Sequence, residues 1–256
     1  MADTPTRDEP LNSAMSLEEH LDELRRRLIL SIAGLVVGIL LCLFFGKAII
    51  SFIEKPYIES MGKDARLQIL SPTEGFTSFM QIAGVGGLLL ASPWIFYQLW
   101  MFISAGLYPR EKRYVYIAVP FSAILFVAGA LLFFLLIAPL TLKFFVFFNK
   151  DFLGVDSNFT FPNYISFIGM MALIFGIAFQ TPIAIFFLIK TGLISVKTLN
   201  KTRKYVILGI VITASCVIPG SDPFSLFAMC IPMYLLFELG VLLGWLSERK
   251  KAKNAV

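Results

Sequence analysis

The chain contains uncharged stretches that are too long and too apolar to be buried inside a soluble domain. The longest runs through residues 75–109, about 35 positions without an acidic or basic side chain, whereas about 20 residues of helix cross the hydrocarbon core of a bilayer. Hydrophobic residues make up 57% of the 256 residues and charged residues only 15%, and the mean hydropathy is +0.79. The sequence therefore predicts an all-α, polytopic membrane protein.

Six apolar segments, separated by charged stretches, account for most of the sequence. They cover residues 28–45, 75–93, 114–140, 162–189, 205–218 and 223–246. The fifth has only about 14 residues, roughly 21 Å of helix at 1.5 Å per residue, and Glu238 interrupts the sixth. We therefore predict six transmembrane helices, with short helices five and six that either thin the bilayer or are shielded by neighbouring helices.

Basic residues cluster beside these segments in a pattern that predicts their orientation. The clusters lie at 25–27, 110–113, 190–204 and 248–253. In the stretches 46–73 and 141–161, by contrast, acidic residues nearly balance the basic ones. Because lysine and arginine concentrate in cytoplasmic loops, six spans with both termini in the cytoplasm place every cluster on one side. The same clusters account for the net charge of +5, which we attribute to topology rather than to nucleic-acid binding.

The chain divides into three regions by composition. Residues 1–15 are polar, contain two prolines and are predicted to form a disordered tail. Residues 16–246 are predicted to form a single six-helix transmembrane domain. Residues 247–256 are predicted to form a basic cytoplasmic tail.

The first helix of the domain is predicted to begin before the first apolar segment. Ser16 and Glu19 have the spacing of a capping box. Two acid–base pairs, Asp22 with Arg26 and Glu23 with Arg27, follow at the four-residue spacing, acid before base, that favours ion pairs on a helix. The GxxxG sequence at 34–38 predicts close packing against another helix.

The sequence lacks the residue patterns of common catalytic and metal sites. Its one histidine is His20, so HExxH chemistry is impossible, and no glycine-rich phosphate loop is present. The three cysteines, Cys42, Cys216 and Cys230, have no CxxC spacing. We therefore predict no catalysis, no metal and no cofactor. A small-solute secondary transporter and a membrane receptor or translocase subunit remain, and the cytoplasmic position expected for Glu23 and Glu111 favours the receptor.

Three of the polar side chains within the apolar segments are candidates for function or for bonds between helices. Glu238 would cost several kcal/mol at the centre of a bilayer, and both a functional and a packing role are consistent with its place near the end of the sixth segment. Gln180 precedes a Thr-Pro pair, where proline frees a backbone carbonyl; it forms either an interhelical hydrogen bond or part of a binding site. Gln81 is predicted to hydrogen bond between helices.

Several motifs occur together, in order, over most of the chain. They read EHLDELRRRL (19–28), SPWIFYQLW (92–100), AGLYPREKR (105–113), FGIAFQTP (175–182), PGSDPFS (219–225) and IPMYLLFELG (231–240). In these motifs the chain resembles the TatC family, the core subunits of the twin-arginine protein translocase.

The resemblance implies a fold, a location and partners. The fold would be a six-helix protein of the bacterial cytoplasmic (inner) membrane with a concave, cupped arrangement. Its function would be to receive the twin-arginine signal peptides of folded cargo proteins for export driven by the proton gradient. The partners would be single-span TatA-like and TatB-like proteins in the lipid bilayer, and further copies of this chain within a larger complex.

The resemblance also assigns residues to signal-peptide binding. A glutamate of the N-terminal motif and one of the first cytoplasmic loop match Glu23 and Glu111. Phe102 matches an aromatic residue of the same loop, and Arg25 belongs to the N-terminal motif. Carboxylates suit this task because they accept bidentate hydrogen bonds from guanidinium groups.

A second set of residues matches positions implied in partner binding or coupling. Pro56, Asp222 and Glu238 match the outer loop, the last turn and the sixth span. Gln180 stands where the family commonly carries a glutamate, so the resemblance assigns it no protonation role; an amide still forms hydrogen bonds. The family usually has Thr-Pro before the acid of the last turn and a Gln after the serine that follows it. This chain has Ile218 in place of that Thr and Leu226 in place of that Gln.

Overall fold

The computed structural model describes residues 17–62, 66–107, 112–155, 158–217 and 223–253, and helices occupy most of them. In chain order the α-helices of these ranges are α1 (Leu17–Phe44), α2 (Gly46–Ile53), α3 (Lys55–Met61), α4 (Glu74–Ala105), α5 (Lys112–Leu132), α6 (Ala138–Phe147), α7 (Phe161–Ala178), α8 (Thr181–Lys190), α9 (Val196–Val217) and α10 (Pro223–Lys253). Two π-helical turns, Phe133–Ile137 and Phe148–Phe152, make one continuous helical run from Lys112 to Phe152. The prediction of an all-α protein is confirmed.

Five helical runs of the described residues are long and apolar enough to cross a membrane. They are Glu18–Phe44, Glu74–Ala105, Lys112–Phe152, Phe161–Lys190 and Pro223–Leu246. The predicted fifth span lies within α9, whose first half carries four basic residues, so its apolar part is short, as expected. The prediction of a short sixth span was wrong, because Glu238 does not interrupt α10 and its apolar run Pro223–Leu246 has 24 residues. The predicted disordered tail 1–15 lies outside the described residues, as do Ser16 of the capping box and the end of the basic tail.

Several predicted boundaries are wrong, because helices extend into the charged stretches that separate the apolar segments. The stretch 46–73 contains α2 and α3, and the stretch 141–161 is helical as far as Phe152. Pro139 does not stop the helix, since it lies in the first turn of α6, directly after a π-helical turn. The fourth span is divided at Phe179–Gln180 into α7 and α8.

The helix of the second span does not end near Pro93 but continues as α4 to Ala105. Proline lacks the N–H that would bond the carbonyl four residues earlier, here that of Leu89. The Ser92 hydroxyl donates a hydrogen bond to this carbonyl at 2.7 Å. The freed backbone group is thereby satisfied inside the helix, as the apolar surroundings require.

Helices α1 and α4 pack closely in antiparallel orientation. At Gly38, a β-carbon would meet the carbonyl oxygen of Gly87 and the side chain of Ala91. One turn earlier, Trp94 covers Gly34 and donates its indole N–H to the Leu30 carbonyl at 2.9 Å. The close packing predicted from the GxxxG spacing is confirmed.

A core of aromatic and aliphatic side chains joins α7 to the helical run that begins with α5. Tyr164 and Phe175 of α7 and Phe133 of the first π-helical turn are almost completely buried. The Tyr164 hydroxyl donates to the Ile53 carbonyl at 2.6 Å, which attaches α7 to the end of α2. Nearby, Gln68 pairs with Thr160 in a single β-bridge, with hydrogen bonds to Phe159 and Phe161.

The contact between α1 and α4 predicts opposite effects for two glycine substitutions. We expect Gly38→Ala to lower the free energy of unfolding by about 1–3 kcal/mol, because the added methyl meets backbone atoms that cannot give way. Gly84→Ala on α4 is the matched control, since no atom lies within 4 Å of its added β-carbon. It should leave stability unchanged or raise it by up to about 1 kcal/mol. Thermal and denaturant unfolding in detergent measures both; equal effects would contradict the packing.

Candidate functional site

The first turns of α1 lie against the last turns of α4, and a polar network joins them. Arg27 donates from Nε to Oε1 of Glu23 at 2.7 Å and from Nη1 to Oε1 of Gln98 at 2.8 Å. The side chains of Arg27 and Glu23 are 18% and 19% exposed, and Gln98 is buried. The network is therefore an ion pair on one helix that a buried amide of another helix holds in place.

An aromatic contact extends this network by one turn. The ring of His20 stacks on that of Phe102, with centroids 4.6 Å apart and an interplanar angle of 27°. His20, Glu23 and Arg27 follow at three- and four-residue spacings, so they share the face of α1 that meets α4. The structure thus brings Glu23 and Phe102, two of the predicted site residues, to the same seam.

The other predicted residues of this site are placed differently. Arg25 is exposed and makes no hydrogen bond or ion pair with the described part of the chain. Glu111 lies outside the described residues, which stop at Leu107 and resume at Lys112. Gly106, at the end of α4, lies beside the His20 ring, so the loop that carries Glu111 leaves α4 next to the first turns of α1.

A second polar network connects three helical segments. The Gln180 amide, at the junction of α7 and α8, donates to the Ser122 carbonyl at 3.0 Å. The Ser122 hydroxyl accepts a hydrogen bond from the Trp100 indole at 2.8 Å. Trp100 and Ser122 are both buried. Of the two roles left open for Gln180, the structure shows the interhelical hydrogen bond.

Glu238 joins α10 to α9. Its Oε1 accepts a hydrogen bond from the Tyr234 hydroxyl at 2.7 Å, and its Oε2 pairs with Arg203 at 3.0 Å. Glu238 and Arg203 border a cavity of about 270 Å³, which Asn200 and Trp245 also line. The charge of Glu238 is thus compensated by a cation of the neighbouring helix.

The two remaining predicted residues lie apart from the seam. Pro56 is buried in the first turn of α3, beyond the far end of α1, and its carbonyl accepts a hydrogen bond from Ser60 at 2.7 Å. Next to it, burial raises the pKa of the Tyr57 phenol, so this group stays a neutral donor. Asp222 lies outside the described residues.

Sequence reasoning missed Gln98, Trp100 and Ser122, the residues that connect the predicted ones. Gln98 is a polar side chain within the longest uncharged run, which was the available signal. Its partner Arg27 is 71 positions away, and no local spacing relates the two.

The arrangement can bind a cationic group through charge and ring stacking. A carboxylate and an aromatic ring lie at one end of two packed helices, and an arginine already occupies the carboxylate. Within the described residues, no group of three or more histidine, cysteine, aspartate or glutamate side chains is placed to hold a metal ion.

Comparisons with known proteins agree with one another. A family model described as Sec-independent protein translocase protein (TatC) matches residues 19–232. The chain is 36% identical to Sec-independent protein translocase protein TatC of Aquifex aeolicus (strain VF5), over 93% of this chain and 98% of that protein. It is 32% identical to the protein of the same name from Magnetococcus marinus, over 93% of this chain and 87% of that one.

Solved structures show the same similarity. The crystal structure described as twin arginine translocase receptor TatC is 35% identical, covers 90% of this chain and all of its own, and has a TM-score of 0.79. A second structure of that receptor, in DDM, covers 88% of this chain and 99% of its own with a TM-score of 0.80. The similarity in sequence and fold therefore extends over nearly the whole chain.

The network around Ser122 predicts a cost for removing one hydroxyl. Ser122→Ala leaves the buried Trp100 indole N–H without its acceptor, so we expect a loss of about 1–3 kcal/mol in the free energy of unfolding. Ser215→Ala on α9 is the control, because that hydroxyl is exposed and bonds only the carbonyl of its own helix at Val211. Unfolding in detergent measures both, and equal losses would argue against the network.

Proposed function

The chain belongs to the TatC family of Sec-independent protein translocase proteins, and from that membership we propose that it is the signal-peptide receptor and core subunit of a twin-arginine translocase. Such a subunit takes part in the export of folded proteins across the membrane, driven by the proton gradient. The observation that carries the receptor role is the guanidinium–carboxylate pair of Arg27 and Glu23 at the seam of α1 and α4. It supports the proposal because the same carboxylate suits the guanidinium of a peptide arginine.

Glu23, Glu111, Phe102 and Arg25 form the proposed signal-peptide site. Glu23 and Glu111 would each accept a guanidinium group, since two adjacent arginines need two carboxylates for bidentate hydrogen bonds. The start of the Glu111 loop beside His20 supports a common site for both. Phe102, which stacks on His20, would offer a ring face to a peptide side chain, and exposed Arg25 would contact the peptide backbone.

The proposed setting is a bacterial cytoplasmic membrane, crossed six times with both termini in the cytoplasm. The five long apolar runs support this topology, with the apolar half of α9 as the short fifth crossing in chain order. The basic residues of α9 would then lie at the cytoplasmic surface. The proposed arrangement of the six spans is the concave, cupped one of the family.

The proposed partners are TatA-like and TatB-like single-span proteins and further copies of this chain. The short fifth span would create a hydrophobic mismatch, which a docked partner helix relieves. We place Gln180, Asp222, Glu238 and Pro56 in partner binding or coupling. For Gln180 the role would be hydrogen bonding, because a neutral amide does not exchange a proton at cellular pH.

The alternative, a small-solute secondary transporter, is not supported. The matched relatives and structures are TatC translocase proteins over nearly their full lengths. In addition, the intramembrane acid Glu238 is paired with Arg203, whereas coupling in transporters relies on ionisable groups that bind the transported ion or substrate.

The proposed site predicts which acids matter for peptide binding. We expect Glu23→Gln and Glu111→Gln each to weaken binding of a peptide with two consecutive arginines by about tenfold or more, since each removes a charge-assisted hydrogen bond. Glu18→Gln, an exposed acid in the first turn of α1, is the matched control and should bind as the wild type does. The measurement is fluorescence anisotropy with the full chain in detergent.

Two outcomes would contradict this assignment. Wild-type binding in both the Glu23 and the Glu111 variant would remove these acids from the site. An equal loss in the Glu18 variant would indicate a general effect of negative charge on α1. Complementation of a strain that lacks its own TatC, measured by export of a folded reporter, checks the function as a whole.

The proposed topology predicts where the two chain ends lie. Single cysteines introduced near each terminus, in a variant without the native cysteines, should both resist a membrane-impermeant maleimide applied to intact cells. Both should react after the cells are opened, because the reagent then reaches the cytoplasmic side. Two termini on the same side require an even number of crossings. Labelling of only one end in intact cells would refute six spans.

A further inference from the structure

We propose that Arg27 is an internal competitor for the carboxylate of Glu23, and that Gln98 is the acceptor that keeps Arg27 when a peptide arginine takes its place. This inference rests on the proposed binding of twin-arginine peptides at Glu23. It makes Arg27 and Gln98 residues that set the affinity of the site, a role beyond that of the acids that contact the peptide.

Only one of the two oxygens of the Glu23 carboxylate takes part in the ion pair. Arg27 Nε occupies Oε1 of Glu23 at 2.7 Å. Among the described residues, nothing donates a hydrogen bond to Oε2. A bidentate arginine–carboxylate pair uses both oxygens in two parallel hydrogen bonds. A peptide guanidinium in this geometry therefore competes with Nε of Arg27 for Oε1.

Electrostatics leads to the same conclusion. Two guanidinium groups on one carboxylate would repel each other at hydrogen-bond distance, and the 18% and 19% exposure of the pair limits screening by water. A peptide with two arginines brings two further positive charges to a helix that already carries Arg25 and Arg26 beside Arg27. If Arg27 leaves Glu23, each carboxylate of the proposed site pairs with one arginine of the peptide.

Gln98 provides a place for the displaced group. Its Oε1 accepts from Nη1 of Arg27 at 2.8 Å, through an amide that is 1% exposed. Because this bond uses Nη1 and the bond to Glu23 uses Nε, the second can break while the first remains. The released guanidinium then keeps a partner at the helix seam, which lowers the cost of displacement.

This mechanism predicts opposite signs for two substitutions. Arg27→Gln removes the competitor, so affinity for a twin-arginine peptide should rise roughly two- to fivefold, the range expected from a partly exposed ion pair. Gln98→Met keeps the volume but removes the acceptor, so Arg27 depends on Glu23 alone and affinity should fall by a similar factor. In the double variant the Gln98→Met effect should vanish, because no competitor remains to be held.

The experiment is titration of the full chain in detergent with a labelled twin-arginine peptide, using the wild type, both single variants, the double variant and each change combined with Glu23→Gln. Unchanged or weaker binding by Arg27→Gln overturns the inference, and so does a Gln98→Met loss that persists in the double variant, since a purely structural role predicts that persistence. Arg27→Met provides a second test of the competitor with a different side chain. It also keeps the inference testable if Gln98→Met fails to fold.

The Glu23→Gln background separates this inference from the proposed function. If Glu23→Gln alone binds the peptide as the wild type does, Glu23 is not a ligand and the proposed site fails. If Glu23→Gln weakens binding and Arg27→Gln does not strengthen it, the site stands and the competitor is refuted. Support requires that Arg27→Gln strengthens binding with Glu23 present and has no effect in the Glu23→Gln background.

Discussion

The close approach of α1 and α4 is the constraint on which the rest of the structure depends. Helix α1 packs mainly on α4 and exposes most of its other surface, so its position relies on this one contact. Glycines at the crossing let the backbones meet, and the Trp94 indole bonds across the seam to the Leu30 carbonyl. The same contact aligns Arg27 with Gln98 one turn beyond Trp94. Packing in the apolar segment thus builds the polar site at its end.

Much of the helical framework could be predicted from the sequence, because long apolar runs have few alternatives in a bilayer. Four-residue spacing predicted the Glu23–Arg27 pair, and GxxxG predicted the glycine contact. The Asp22–Arg26 pair predicted from the same spacing is not among the ion pairs of the described residues. The boundary near Pro93 shows why other details were missed. Proline removes a backbone hydrogen bond, but the Ser92 hydroxyl satisfies the carbonyl that Pro93 leaves free, so the helix continues. That compensation depends on a side-chain rotamer, which composition and periodicity do not reveal.

The candidate site was predictable only in part, for a different physical reason. Glu23 and Phe102 were identified by resemblance, but the residues that hold the predicted ones in place are distant in the chain. Gln98 reaches Arg27 across 71 positions, and Ser122 reaches Gln180 across 58. Such partners depend on how helices are arranged in three dimensions, so spacing along one helix cannot identify them.

The β-bridge between Gln68 and Thr160 restrains one end of the helix assembly. Two backbone hydrogen bonds, 3.2 Å to the Phe159 carbonyl and 2.8 Å from the Phe161 N–H, join the segment before α4 to the segment before α7. These two hydrogen bonds connect the ends of the segment 68–160. The starts of α4 and α7 therefore cannot separate unless both bonds break. If α4 tilted relative to α7, it would pivot at the β-bridge. The largest displacement would then occur at the other end of α4, beside Phe102.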